Sequence, residues 1–525
     1  MNRRHTLTAA TALLAVLGPL SAAAAPSVYD QRERDWRNGA VVYQVIVDRF
    51  APSANLEAKR HLYPAPKRLR GWDEVPAAGV HLPEYKVNSA ELDFWGGDLA
   101  STGAHLAHLR RLGADVLYLN PIHLAWTNHK YDALDYQAIS PEYGTRDDFR
   151  RLAAQARQLG LKVVLDGVFN HMGRNAPIFQ QALADPKSPY RNWFAIGPQY
   201  AGGARVWTGF QNHPELNLEH LPVRRHLWLD RDSVLRSYLR DGADGWRLDT
   251  AYELGPRFLR ELTDAAHREK PGALVVGEIV NWPGQWLQSH DAVMGFTLRL
   301  MLFDLARGQA SGGATGRRID ALVKGSGILP TLRSWNLLDN HDLPRLHTEF
   351  PEAAPRRLLQ ALQFTLPGAP NLYYGVEVGM EGGPDPANRG PMRWDRVSDD
   401  HPEMRWVRQL IALRREHRAL RIGDHVALDG ERLLAFLRRT DRPLDSRVVV
   451  ANPTRETVKE RLPVPDAWLM DGTPMVDVLN AAAATPARFT LIAGLLEVEV
   501  PPQSVLVLQP RPEPMGGYDR YKRVP

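Results

Sequence analysis

GWRLDT, residues 245–250, is an apolar run that turns polar only where it ends, with Arg247 two positions ahead of Asp249. A strand alternates its side chains with a period of two, so this guanidinium and this carboxylate leave on the same face. Three other runs end alike: KVVLDGVFNH (162–171) arrives at His171, ALVVGEI (273–279) at Glu278, and SWNLLDNHD (334–342) at His341 and Asp342. Strands apolar on both faces belong to a parallel sheet covered by helices. In a closed barrel of that kind, the C-terminal strand ends form the face where loops build a site.

Outward from these runs the chain keeps a βαβα order. VVYQVIV (41–47) is followed by a helix-like stretch at 99–112, ADVLYL (114–119) by TRDDFRRLAAQARQL (145–159). In the latter, Thr145 and Asp148 form a capping-box pattern, Phe149, Leu152, Ala156 and Leu159 share one helical face, and Gly160 stops the helix. With a weak sixth run near 292–296, then RSWNLLD and APNLYYG, eight strands are reached by Gly375. Eight favour an α/β fold closed as a (β/α)8 TIM barrel, assigned to residues 26–420. The connections at about 50–98 and 172–224 are too long for simple turns. The second carries Trp193, Phe194, Tyr200, Trp207 and Phe210 among prolines and glycines, and reads as an irregular subdomain leaning over the site. After a last helix at about 402–418, short alternating runs such as RLLAFL, RVVVAN and LLEVEV predict an antiparallel β-sandwich over 421–512, with a loose tail at 513–525.

The totals exclude several functions. The first residues carry Arg3 and Arg4, an apolar stretch from Leu7 to Leu20 and SAAAAP, the three parts of a secretory signal, so residues 1–25 are set apart and a periplasmic or secreted product is expected. The paired arginines leave a twin-arginine route open. The 525 residues contain no cysteine, hence no disulfide and no thiolate metal site. Arg3 and Arg4 account for two of the five net positive charges. The remainder is near neutral and gives no electrostatic case for nucleic acid, or for a membrane once the signal is removed.

Three carboxylic acids on one barrel face, with no phosphate loop and no HExxH, narrow the chemistry to acid/base or nucleophilic work on a neutral, oxygen-rich substrate. Glycoside cleavage uses such a set: one carboxylate attacks the anomeric carbon while a protonated partner donates to the leaving oxygen. Arg247 is expected to depress the Asp249 pKa and keep a nucleophile ionised. Glu278, with no cation beside it in sequence, suits the acid. Asp342 beside His341 suits stabilisation of positive charge on a sugar ring. A single Asp at a strand end is more often a helix cap, but four strands carrying complementary groups are hard to explain by capping. Asp166, inside its strand, reads as an organiser of hydrogen bonds around Arg247 rather than as a catalyst. No local ligand spacing supports a metal at His171, His341 or the acids.

DGVFNH, GWRLDTAYE, GEIV and LLDNHD resemble, in order, the four signature regions of the alpha-amylase family of glycoside hydrolases. The likeness runs from about Trp36 to Trp394, through FWGGDL, LYLNPIHLAWTNHKYDALDY, HPELN and YYGVEVGMEGGPDPANRGPMRW. It implies a retaining mechanism with Asp249 as nucleophile, Glu278 as acid/base and Asp342 as transition-state stabiliser. By the same resemblance Arg247, His171 and His341 hold the reacting sugar, Tyr131 stacks on it, and Asp385 and Arg389 reach the next one. TNHKYD, HPELN, Glu253 and GMEGGPDPANRGPMRW are most similar to the neopullulanase and cyclomaltodextrinase group, which implies maltodextrins, cyclodextrins or related alpha-glucans as substrate. Thr250 is similar to alpha-1,4-acting members.

Several positions depart from the pattern. Only about ten residues separate the signal from Trp36, without the N-terminal β domain through which many cyclomaltodextrinases dimerise, so a monomer is expected. FAPSANLEAKRH lacks the Asp/Asn ladder that binds calcium in related enzymes, and Glu253 stands where amylases have a calcium-associated histidine. No metal or other cofactor is expected, with structural calcium left open by Asn170. Val376 replaces an acid common in the YYGDE pattern. Two alternatives stand beside hydrolysis: a transglycosylase using the same site, and a sugar-binding protein on a retired barrel.

Overall fold

The computed structural model describes residues 26–481, 486–514 and 516–524. The signal assigned to 1–25 lies outside them. Among the described residues, no helix is long and apolar enough to cross a membrane.

Eight parallel strands make the barrel: β1 Val42–Val45, β2 Val116–Leu119, β3 Lys162–Gly167, β4 Gly245–Leu248, β5 Leu274–Gly277, β6 Ala292–Val293, β7 Trp335–Leu337 and β8 Ala369–Tyr373. Each pairs with its neighbour in sequence and β8 pairs with β1. A parallel bridge between Met294 and Trp335 closes the ring between β6 and β7. The lower interior is an apolar plug including Val42, Val116, Tyr118, Val164, Val276 and Trp335. Above it the inward positions turn polar, at Gln44, Asp166 and Arg247, all buried. That change of lining fixes the depth of the site.

The outer helices bury the faces their periodicity predicted. Arg146–Gln158 starts at a Thr145–Asp148 capping box, buries Phe149, Leu152 and Ala156, and ends before Gly160, whose φ of 75° favours glycine. Several boundaries differ from expectation. The 99–112 stretch is two helices broken at His105, the sixth strand is only two residues long before a helix begins at Phe296, and the last helix stops at Glu416 before a second one, Arg418–Ile422. A short antiparallel hairpin, His123–Ala125 with Ala133–Ile139, follows β2 and was not foreseen. Residues 172–224 contain the helix Pro177–Ala184, three single 3-10 turns and a last short helix, Leu221–Arg224, and are otherwise irregular loops joined by isolated bridges.

The C-terminal unit is one antiparallel array of eight strands: β9 Asp424–Leu428, β10 Leu434–Arg439, β11 Arg447–Asn452, β12 Val458–Pro463, β13 Pro474–Asp477, β14 Arg488–Ile492, β15 Leu495–Val500 and β16 Ser504–Pro510. Their order is β9-β10-β11-β16-β13-β14-β15-β12. They enclose a separate core of residues such as Leu437, Val448, Val498 and Leu506. Arg438 of β10 is fully buried and donates to the carbonyls of Thr365 (2.7 Å), Leu420 (3.0 Å) and Gly423 (2.9 Å). A cation on the last carbonyl of the Ala353–Thr365 helix and on the C-terminal end of the Arg418–Ile422 helix ties this unit to the barrel. Gly313 does so sterically, since a Cβ there would meet the Gly430 carbonyl oxygen at 1.9 Å. The tail expected to be loose is pinned: Tyr521 is buried, and its hydroxyl accepts from the Met470 amide (3.0 Å) and pairs with Thr473 (2.7 Å).

Candidate active site

Strand register assembles the site. Arg247 stands opposite Asp166 on β3 and Val276 on β5, and the Glu278 amide donates to the Leu248 carbonyl (3.0 Å). Asp249 and Glu278, just beyond their strands, therefore flank one guanidinium. Arg247 Nη1 donates to both Asp166 oxygens (2.8 and 3.1 Å) and to Asp249 (3.0 Å). Its Nη2 lies 2.9 Å from Glu278 as an ion pair, at an angle too poor for a hydrogen bond. Glu278 Oε2 also accepts the Thr250 amide (2.8 Å), which is aimed by the left-handed backbone of Thr250 (φ 39°).

The expectation that Arg247 depresses the Asp249 pKa while Glu278 has no cation beside it does not hold: the same guanidinium also faces Glu278, and the Asp249 carboxyl is raised. Spacing along one strand shows a cation's nearest sequence neighbour but not the acid delivered by the next strand. One cation faces three carboxylates, and charge balance leaves the group with a tendency to retain protons. Burial pushes the Asp249 carboxyl well above the usual carboxylate range, with Arg247 opposing and Glu278, Asp166 and Asp342 adding to the rise. Burial also raises Glu278 and Asp166, again against Arg247. The acids titrate as a set.

A second chain of hydrogen bonds runs round the barrel mouth. Asn371 Nδ2 donates to Gln44 Oε1 (3.2 Å), and Gln44 Nε2 donates to Asn120 (3.0 Å) and His341 Nδ1 (2.9 Å). With Nδ1 accepting, the His341 proton sits on Nε2, 2.6 Å from the Tyr131 hydroxyl, which in turn donates to Asp166 (2.9 Å). Tyr118 donates to the same Asp166 oxygen (2.6 Å). Asp166 is thus the organiser its position suggested. Burial holds His341 well below its ordinary pKa and His171 at about 3, so both rings are neutral. The Tyr131 ring lies parallel to His341, centroids 5.4 Å apart, which leaves its other face to the cleft.

Asp342 is the most open acid of the three, with its side chain 39 % exposed. It lies 3.2 Å from His341 Nε2 and 3.4 Å from Arg389 Nη2. Arg389 also donates to the His341 carbonyl (2.7 Å) and pairs with Asp385 at 3.2 Å. Asp249, Glu278, Asp342, Tyr131, His171, Asp385 and Arg389 line one cleft of about 400 Å³, with Arg247 buried behind its acids and His341 behind Tyr131 and Asp342. The structure brings together every site residue expected from sequence.

It also adds residues that sequence reasoning missed. Gln44 showed itself only as one polar residue inside VVYQVIV, Glu91 comes from a loop without a motif, and His129 lies inside TNHKYD, where only Tyr131 was given a role. Trp207 and Phe210, by contrast, were expected in the subdomain over the site: Trp207 stacks on both His171 (5.3 Å, 19°) and Phe210 (5.6 Å, 20°), so the 172–224 segment supplies an aromatic wall. Glu377, beside the substituted Val376, is fully buried and accepts from Tyr43 (2.6 Å), with His108 at 2.9 Å. The second acid of the YYGDE pattern is thus retained in its own place and serves the barrel interior. No group of three or more His, Asp or Glu among the described residues is arranged to hold a metal ion.

Residues 44–409 match the model of the alpha-amylase catalytic domain. This chain belongs to the alpha-amylase family. Among its alpha-amylase relatives, a cyclomaltodextrinase from a Bacillus species is 33% identical over 424 residues, covering 77% of this chain and 74% of that one. Neopullulanase 2 of Thermoactinomyces vulgaris is 32% identical over 458 residues, covering 83% and 73%. Among solved alpha-amylase folds, the cyclic alpha-maltosyl-(1→6)-maltose hydrolase of Arthrobacter globiformis superposes with a TM-score of 0.74 at 29% identity, covering 90% of this chain and 98% of that one.

Proposed function

We propose that this protein is a retaining glycosidase that hydrolyses alpha-1,4-glucosidic bonds of maltodextrins and cyclodextrins through a covalent glycosyl intermediate on Asp249. The observation that carries the reading is the shared guanidinium: Arg247 holds Asp249 and Glu278 side by side at the mouth of one cleft, within reach of Asp342. Retaining chemistry needs two carboxyls about 5 to 5.5 Å apart, and a bridge through one arginine suits that spacing better than the roughly 6.5–9.5 Å of inverting enzymes.

The shared proton is assigned to Glu278. Asp249 takes a direct hydrogen bond from Arg247 Nη1, which favours its ionised form. Glu278 meets Nη2 off-line and commits Oε2 to the Thr250 amide, leaving Oε1 to carry a proton toward the leaving oxygen. Asp249 then attacks the anomeric carbon as Glu278 protonates the departing sugar. In the second step Glu278 takes a proton from water, which releases the glycosyl unit with its configuration retained. Neutral His171 and Asp342 grip sugar hydroxyls, with Asp342 stabilising positive charge on the ring. Tyr131 supplies a stacking face, while Asp385 and Arg389 reach the neighbouring unit.

The relatives named for cyclic maltodextrins and pullulan support the substrate class. Maltoheptaose, cyclodextrin and pullulan incubated with purified protein should yield short products released as the α-anomer; β-anomers or no cleavage would defeat the assignment. Products longer than the substrate at high maltotriose would shift it to transglycosylation. We also propose a monomer exported by the segment at 1–25, tested by sizing the protein and by sequencing the mature N-terminus from cell fractions.

A further inference from the structure

The segment that walls the cleft has a second face. There, Tyr190 and Trp193 of the 172–224 connection, with His226, Arg225 and Asp230 just beyond it and Asp135 of the post-β2 hairpin, line a groove of about 590 Å³. It shares none of its lining with the catalytic cleft. Its floor is Tyr136, whose hydroxyl holds the carbonyls of Val168 (2.6 Å) and His171. The groove and the cleft therefore stand back to back across the end of β3.

Two properties describe what would fill it. The Trp193 ring is half-buried and set edge-on to Tyr190 (centroids 5.3 Å, 83°) and obliquely to His226 (5.3 Å, 50°), so the three rings form an angled aromatic wall. The side chains of Tyr190, Trp193, His226, Arg225 and Asp230 make no hydrogen bond within the protein among the described residues; only their backbone groups are paired. Asp135, Asp230 and Arg225 leave one net negative charge, so an anionic ligand is disfavoured and no strongly charged one is selected. Aromatic faces with several uncommitted donors and acceptors and little net charge suit a neutral polyhydroxyl chain.

We infer that this groove is a second binding site for an alpha-glucan chain, separate from the site of cleavage. The ligand class rests on the proposed function. A polymer long enough to occupy both sites, or held near one by the other, gains an effective concentration that a trisaccharide cannot. Loss of one stacking platform should weaken polymer binding about tenfold, the equivalent of roughly 1.4 kcal/mol.

The test uses Trp193→Ala, with His226→Ala removing one further ring of the wall and Asp230→Ala as a variant that leaves the aromatic packing of Trp193 in place. Electrophoresis in gels containing soluble starch should show the parent protein retarded and each variant less so. Maltotriose turnover should stay within about twofold while kcat/KM on starch falls. Titration of maltoheptaose into the Asp249→Asn protein should give two sites, and one after Trp193→Ala is added. Equal retardation of parent and all variants, or one site in both titrations, would overturn the inference. The groove is read from binding and the cleft from turnover, so failure of either reading is distinguishable from failure of the other.

Discussion

Asp249→Asn separates the two demands on the acid cluster, because the amide should abolish turnover and stabilise the fold. Asp249 is 7% exposed and shares one guanidinium with Asp166 and Glu278. Replacing it leaves two carboxylates to one cation, keeps an oxygen that accepts from Arg247, and removes the desolvation of a charge. The gain expected from relieving such functional strain is about 1–2 kcal/mol at neutral pH. Its pH dependence follows from the direction of the shift. A carboxyl whose folded pKa is raised contributes stability below its unfolded pKa and loses it as pH rises through the folded one. The variant and parent should therefore be nearly equal near pH 3 to 4, and the variant should pull ahead as pH rises, by roughly 2 °C in melting temperature at pH 7. Thermal unfolding of both proteins across that range measures the gap, and maltotriose assays should show turnover lower by several orders of magnitude. A variant less stable at pH 7, or a gap that does not change with pH, would refute the claim that crowded burial raises this acid. Near-normal turnover would end its assignment as nucleophile.

Arg247→Met removes the cation from three buried acids and should cost about 3–5 kcal/mol of stability; any active fraction should have its acidic limb of kcat/KM displaced to higher pH, and an unmoved limb would argue against charge as the role of Arg247. Gln44→Glu exchanges the donor facing His341 Nδ1 for an acceptor, so the ring should reverse its tautomer or take up a proton. A fall in kcat of about 10²-fold with the fold retained is expected, and chemical-shift measurement of the His341 ring nitrogens would expose an unchanged tautomer. Extended dialysis against EDTA should leave melting temperature and rate unaltered; loss of either, restored by calcium, would place a structural ion in this chain.

Much of this protein was legible before any coordinates. Apolar runs that become polar only at one end gave eight strands and the face of the site, because a strand covered on both sides can carry charge only where it leaves the sheet. Asp249, Glu278 and Asp342, with Arg247, His171 and His341, stood at those ends. Loop contributions were only partly legible: Trp207 was expected over the site and His129 fell inside TNHKYD without a role, while Glu91 lies in a segment with no period to place it. Nor was Tyr521, which fills a site on the C-terminal unit that only the folded array creates.

Sequence by itself determined which groups the barrel mouth presents, since alternation along each strand decides which side chains face inward. Tertiary structure alone decided how they share charge. Register between β3, β4 and β5 sets Arg247 between Asp166, Asp249 and Glu278, and distance between strands, which no spacing along the chain encodes, is what governs a Coulombic contact.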